Sequence, residues 1–446
     1  MLPAHYEALA SAPAGVDEAL GLLDGFDEAL CHGFARLTDA HAGALAALAG
    51  AVGSTPLRER VAEAAEKIAA GSVSSEHLMA LAAARAAITG AVHDALLAQF
   101  DAATSRTRAV WSPSTSDSPS APENLLGAAR SWLAELGVTG WRGVTNDLVA
   151  ASATVVQGLL GDPSSRRLGV LLDGLAAELS ACSPLATMEQ LPARRWGDLW
   201  SRALLLSQHG SWGGGDVTTV SGRLLILGAD VHEHETTVQV QVHGIIEGET
   251  PRLVRASLTA AKVATITGAG DWRLLTAYQA MLRALAEKRG LELSEMPVLA
   301  SGDLVWQDER AQVGDVADPF TTARVLLPKA TAAATPPLDR HPVRIAEPVL
   351  VEGQQIPDID RLPATGPLTR DLVAGASACI GLMRWDAGRW VLQPLAVQAT
   401  VKKKPVSVHN GDWAQGIPDP KVAKAEAASG DAVAVLRERA GRLLRK

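Results

Sequence analysis

The sequence predicts an α+β protein with a helical N-terminal half and an antiparallel, strand-rich C-terminal half. Two observations carry that expectation. Apolar residues recur at steps of three and four from about Val16 to Leu206. Beyond about residue 210 they alternate in short runs rich in Val, Ile and Thr, separated by turn-forming residues. At 446 residues the chain exceeds the size one hydrophobic core usually serves, so two or three folding units are expected.

The segments follow in order. Residues 1–102 read as a helical bundle, with Leu20, Leu23, Phe26, Leu30 and Phe34 on one stripe. A second helix opens near Ser54-Thr55-Pro56 and a third at Ser74-Ser75-Glu76. Residues 103–123 are dominated by Ser, Thr and Pro and read as a linker, because no helix persists through those prolines. Helical spacing returns over 124–210, where Trp196, Leu199, Trp200, Ala203 and Leu204 share a face.

Residues 211–327 read as an α+β unit with an antiparallel meander. Within it Val238, Val240 and Val242 fall on one face of a strand and Gln239, Gln241 and His243 on the other, so one side of that strand is wet or meets a polar partner. A helix is expected over 271–290, with Leu274, Tyr278, Met281, Leu282 and Leu285 buried. The proline-rich 328–367 is expected to be extended and ordered only where it drapes over a domain. Residues 368–446 read as a hairpin turning at Asp386-Ala387-Gly388, with Trp385 facing Trp390, followed by a basic helix.

Composition narrows the functional classes. A formal net charge of −8 disfavours a general nucleic-acid coat, which needs clustered Lys and Arg, although a local basic patch is compatible with it. Three scattered cysteines, Cys31, Cys182 and Cys379, fit neither a disulfide framework nor a cysteine-rich zinc site and point to a reducing compartment. The start has no signal-like basic and apolar pattern and no long apolar run appears, so a cytoplasmic location is expected.

Candidate sites are few. His232 and His234 stand two apart on a strand and point the same way, with His243 and Asp230 as further possible metal ligands; an exposed polar turn explains the same residues more simply. The glycine-rich 211–216 is followed by a strand rather than by the helix N-terminus a phosphate loop needs, and so reads as a connector. Cys31-His32 makes a poor dyad, because adjacent helical residues point about 100° apart. The carboxylates Asp17, Glu18, Asp303 and Asp308 are scattered. Arg194 and Arg195, interleaved with Trp196 and Trp200, and the C-terminal Arg437, Arg439, Arg442 and Arg445 form two candidate partner-binding surfaces. No catalytic residue and no cofactor is assigned. Ionisable side chains are expected to be spread over solvated faces without converging.

Residues 191–206 (LPARRWGDLWSRALLL) and 382–398 (LMRWDAGRWVLQPLAVQ) resemble stretches of poorly characterised actinobacterial proteins. Those proteins are encoded beside a MoxR-type AAA+ ATPase, a von Willebrand A-domain protein and a SWIM zinc-finger protein. The resemblance transfers no catalytic residue and implies an accessory role beside such an ATPase. The leading expectation is therefore a non-catalytic interaction or adaptor protein, with that ATPase or its associated proteins as partner. One alternative is a nucleic-acid binder in which a small barrel aligns Arg223, Arg252, Arg255 and Lys262. Another is a metal-dependent enzyme at His232 and His234.

Overall fold

In the computed structural model, which describes residues 1, 3–113, 121–162, 164–208, 217–234, 236–263, 265–353, 359, 361–363, 365–401 and 404–428, helices fill the first half and sheets the second, giving the expected α+β fold. The helices are α1 (Pro3–Ala8), α2 (Val16–His32), α3 (Asp39–Ala51), α4 (Arg58–Ala69), α5 (Ser75–Thr104), α6 (Glu123–Thr139), α7 (Asn146–Ala150), α8 (Ala153–Gly161), α9 (Arg166–Ala181) and α10 (Ala193–Leu206). Four substantial helices, α2 to α5, thus stand where three were expected before the linker.

The Ser74 hydroxyl accepts the His77 amide at 3.2 Å and starts α5 where the sequence places it. The most apolar window of α5 has a mean hydropathy of 1.2, enough by length and composition to cross a membrane. That window is 56% buried, as in the core helix of a bundle. Leu23 and Phe26 of α2, Leu78 and Leu81 of α5, Leu133 of α6, Leu172 of α9 and Trp200 of α10 belong to one continuous core. The stretch 103–123 therefore connects two parts of a single helical body.

The meander closes into a barrel. Strands β1 (Thr218–Glu233), β2 (Thr237–Ile246), β3 (Arg252–Ala261), β4 (Arg289–Val298) and β5 (Asp303–Leu304) pair in the order β1-β2-β3-β5-β4, and β4 returns to β1. All pairings are antiparallel except β3 with β5. β1 serves both neighbours because it bends: its first half pairs with β4 and its second with β2, with register shifts at Val220/Gly222 and Ile226/Gly228. β6 (Ala311–Val316) extends β4 outside the ring.

Val238, Val240 and Val242 point inward against Leu258, Leu291 and Met296, as the alternation requires. Helices α11 (Ala269–Trp272) and α12 (Gln279–Glu287) lie between β3 and β4 and cover the barrel with Met281, Leu282 and Leu285. The single helix expected over 271–290 is therefore two short ones. Tyr278 breaks it, Lys288 ends it in a left-handed conformation, and Arg289 already belongs to β4, where Leu291 and Leu293 alternate inward past exposed Glu292.

After α13 (Pro319–Val325), the proline-rich stretch contributes β7 (Glu347–Glu352), an extended segment that pairs into a sheet. Its strand pairs with β8 (Ala376–Asp386), which follows α14 (Arg370–Ala374). β9 (Arg389–Val401) and β10 (Lys404–His409) complete the antiparallel sheet β10-β9-β8-β7, and α15 (Pro420–Ala428) follows. Trp385 and Trp390 face each other across the β8–β9 hairpin, their rings 5.6 Å apart and near-perpendicular at 75°. This sheet joins the two halves. Leu96 and Phe100 of α5 pack on Met383, Trp390 and Leu392, while Leu227 and Ile245 of the barrel meet Ile380 and Ala396.

Candidate functional site

A cleft of about 870 Å³ lies between the helical body, the outer face of the barrel and the hairpin sheet. Its helical wall follows from spacing on α10. Trp196, Trp200 and Leu204 point into the core, so Arg194, Asp198 and Arg202, one turn apart, occupy the opposite face and look into the cleft. The barrel wall is the polar side of the meander. His232 of β1 stands opposite Gln239 of β2, and Gln241 opposite Ser257 of β3; Arg255 lies on the same face, two residues before Ser257. Of the face expected to be wet or partnered, Gln239 and Gln241 are half-buried and line the cleft, whereas His243 is buried and does not reach it. His341 and Arg344, from the proline-rich stretch, and Arg384, from β8, close the third side.

Eight arginines and four aspartates line this cleft, in a chain whose net charge is −8. Several of the arginines are held by carboxylates. Arg85 grips Asp27 through Nε at 2.7 Å and Nη2 at 2.8 Å, Arg194 pairs with Asp24, and Arg195 with Glu178. Arg255 is clamped by Asp303, and Arg202 donates to Asp198 at 2.7 Å. Arg344 differs. Its nearest carboxylate, Asp339, is 3.7 Å away, and its side chain is 56% exposed. Crowding by protein lowers its pKa, as does repulsion from Arg255 and Arg202, against the pull of Asp339.

Three buried side-chain nitrogens on these walls, Arg85 Nη1, Arg202 Nε and His341 Nε2, have no hydrogen-bond partner in the structure. All belong to residues grouped around Asp198, which lies 3.8 Å from Arg85 and 3.7 Å from His341. Burial pushes the His341 pKa down to about 3 despite Asp198, so its ring is neutral. The two unmet guanidinium donors, in a polar and roomy cleft, suit a ligand with oxygen acceptors.

His232 and Asp230 form a second group. Asp230 is buried, and its carboxylate lies 2.7 Å from His232 Nε2 while accepting from Gln393, which in turn accepts from Arg384 at 3.2 Å. Burial works to raise the Asp230 pKa, but the His232 hydrogen bond and charge carry it below the usual range. His234 is exposed, and Glu235 lies outside the described residues. Among the described residues no group of three or more His, Cys, Asp or Glu side chains is disposed to hold a metal ion.

The remaining candidates are dispersed. Trp196 and Trp200 are fully buried and donate to Glu178 and to the Leu133 carbonyl, so neither offers a face to a partner; only Arg194 and Arg195 of that surface are accessible. Arg437, Arg439, Arg442 and Arg445, and the glycine-rich 211–216, lie outside the described residues. The expected groove of Arg223, Arg252, Arg255 and Lys262 does not form: Lys262 is buried against Asp271, and Arg223 sits between Glu247 and Glu292. Arg255 alone reaches the cleft. Cys31 is buried, which pushes its thiol up to about 12, and His32 pairs with Glu28. Asp303 is engaged by Arg255, and Asp308 accepts the Ala280 amide and the Trp306 indole.

The expectation that ionisable groups stay spread is overturned: α5, α10, β3, β8 and the proline-rich stretch converge on one cleft. His341 and Arg344 were missed because a proline-rich segment carries no periodicity from which to read direction. Arg384 did leave a signal, as a charge set among the apolar Leu382, Met383 and Trp385 of its strand. No protein-family model, curated protein or solved structure matches the chain.

Proposed function

We propose that the chain binds a phosphate-bearing, extended ligand, single-stranded nucleic acid, in the cleft between its helical body and its barrel. The observation that carries this reading is the convergence of arginines from five separate segments on the polar β1–β2–β3 face of a closed five-stranded barrel. Five-stranded Greek-key barrels of the OB type bind oligonucleotides and oligosaccharides on the face of their second and third strands and the adjoining loops. Fold alone does not choose between those ligands. The guanidinium lining favours phosphate, which arginine meets with paired, charge-assisted hydrogen bonds.

The acidic net charge of the whole chain fits a confined site better than a coat: only the cleft needs to attract phosphate, and the carboxylates paired with its arginines fix their geometry. A cytoplasmic location belongs to this proposal. The adaptor reading, with a MoxR-type ATPase as partner, loses Trp196 and Trp200 as contact residues and keeps Arg194 and Arg195, together with the C-terminal arginines outside the described region.

Fluorescence anisotropy with short labelled single strands of RNA and DNA at low salt tests the proposal. Saturable binding that weakens as salt rises is expected, with Arg344→Glu weakening it by about tenfold or more. No binding at high micromolar protein, or binding of neutral oligosaccharide instead, rejects it.

A further inference from the structure

Behind the cleft lies a second cavity of about 90 Å³, sharing Arg255, Asp339, Arg344 and Ala346 with it and reaching back to Arg108 and His243. This volume is several times what a single water needs, roughly 10–15 Å³, and far smaller than the cleft's 870 Å³. His243 is the telling residue. It is 3% exposed, it lines the cavity, and its Nε2 has no hydrogen-bond partner.

The two carboxylates in the wall are already engaged. Glu347 is held by Arg106 at 3.2 Å and Arg108 at 3.1 Å, and Asp339 by Arg167 at 3.1 Å. In the same wall Arg344 has no carboxylate closer than 3.7 Å, His243 Nε2 is without a partner, and Arg255 is held in place by Asp303 through Nε and Nη2, so these three are the groups placed to meet an incoming oxyanion. Burial, together with Arg255 and Arg384 and against Asp230, lowers the His243 pKa to about 4, so its ring is neutral and the nitrogen carrying the proton acts as a plain donor.

We infer that this inner pocket takes the terminal phosphate monoester of the strand bound in the cleft, through Arg255, Arg344 and His243, making the protein a reader of phosphorylated ends. The inference rests on the proposed function. A pocket that admits one phosphate group and no base distinguishes an end from the interior of a strand, because an internal phosphodiester cannot enter without its flanking nucleosides.

The test compares one sequence bearing a 5′-phosphate, a 3′-phosphate or only hydroxyl ends by anisotropy, alongside calorimetry with inorganic phosphate alone. One phosphorylated end is expected to bind about tenfold more tightly than the hydroxyl-ended strand, and His243→Phe to abolish that preference while hydroxyl-ended binding is retained. If His243→Phe does not fold, competition on the unaltered protein replaces it: inorganic phosphate is expected to erase the end preference and leave hydroxyl-ended binding in place. Equal binding of all three strands overturns the end-reading pocket and leaves the cleft reading standing. If no strand binds, the cleft reading fails, and absence of heat with inorganic phosphate then shows that the pocket holds water only.

Discussion

Arg85 Nε lies 2.7 Å from Asp27 Oδ1, and both side chains are essentially sealed from solvent at 0% and 2% exposure. The pair ties α5 to α2 at the floor of the cleft, and Arg85 Nη2 also donates to the Arg194 carbonyl of α10 at 3.0 Å. Burial opposes the Arg85 charge, and Asp27 more than restores it. Removing one partner strands a buried charge, so Asp27→Asn or Arg85→Leu is expected to destabilise the fold by about 3–5 kcal/mol. The double change Asp27→Leu/Arg85→Leu is expected to cost less than either single change. Urea unfolding of the three variants decides this; a double variant worse than both singles contradicts the account.

Gly197 of α10 lies directly over that pair. A Cβ there would press on Asp27 Oδ1 and stand 3.1 Å from Arg85 Nε and Nη2. Alanine normally gains about 1 kcal/mol over glycine inside a helix. At this position the clash is expected to reverse the sign, giving a net loss of about 1–3 kcal/mol for Gly197→Ala. An unchanged or raised melting temperature removes the close-approach argument.

Three buried histidines set the acid limit of stability. Burial lowers the pKa of His243 and His409 to about 4 and of His341 to about 3. In the unfolded chain each returns to about 6.5. Their contribution is fully present above pH 6.5 and is lost as pH falls from there towards the folded values, because the unfolded chain takes up the protons. Between pH 7 and pH 5 each accounts for a loss of about 2 kcal/mol. Asp271, raised to about 6 by burial and by Glu233, works in the other direction, regaining about 1 kcal/mol over that interval. A net loss on the order of 5 kcal/mol is therefore expected. Denaturant titrations at the two pH values measure it, and a flat profile contradicts neutral buried rings.

The hairpin at the cleft rim carries a removable strain. Ala387 and Gly388 both have positive φ, 47° and 78°, the pattern of a tight two-residue turn in which asparagine followed by glycine is favoured. Ala387→Asn is expected to stabilise by about 0.5–1 kcal/mol, visible as a higher melting temperature. A lower one means that Ala387 contributes something other than turn geometry.

Much of the fold was legible because periodicity survives in one dimension. The α10 stripe, the Ser74 cap, the Val238–Val242 alternation and the Trp385–Trp390 hairpin each follow from residues within a dozen positions of one another. β7 was not legible, since Pro348 inside it and the prolines around it mask a six-residue strand whose ladder partner, β8, lies some thirty residues away. Barrel closure was not legible either. It depends on β1 bending at two bulges and on β4 returning to it across more than sixty residues.

By itself the sequence determined the fold class, the inward and outward faces of most elements, and the identity of the polar residues on the meander. Tertiary structure decided which of those polar faces meet. Arg85, Arg202, Arg255, Arg344 and Arg384 are separated by up to three hundred residues, and no local preference ties their positions together. Only the docking of the helical body and the barrel onto the hairpin sheet, driven by apolar contacts such as those of Phe100 with Trp390 and of Leu227 and Ile245 with Ile380 and Ala396, brings the guanidinium groups to one cleft. Apolar burial is non-directional and acts over the whole interface, so it fixes the relative placement of distant elements that the charged residues then inherit.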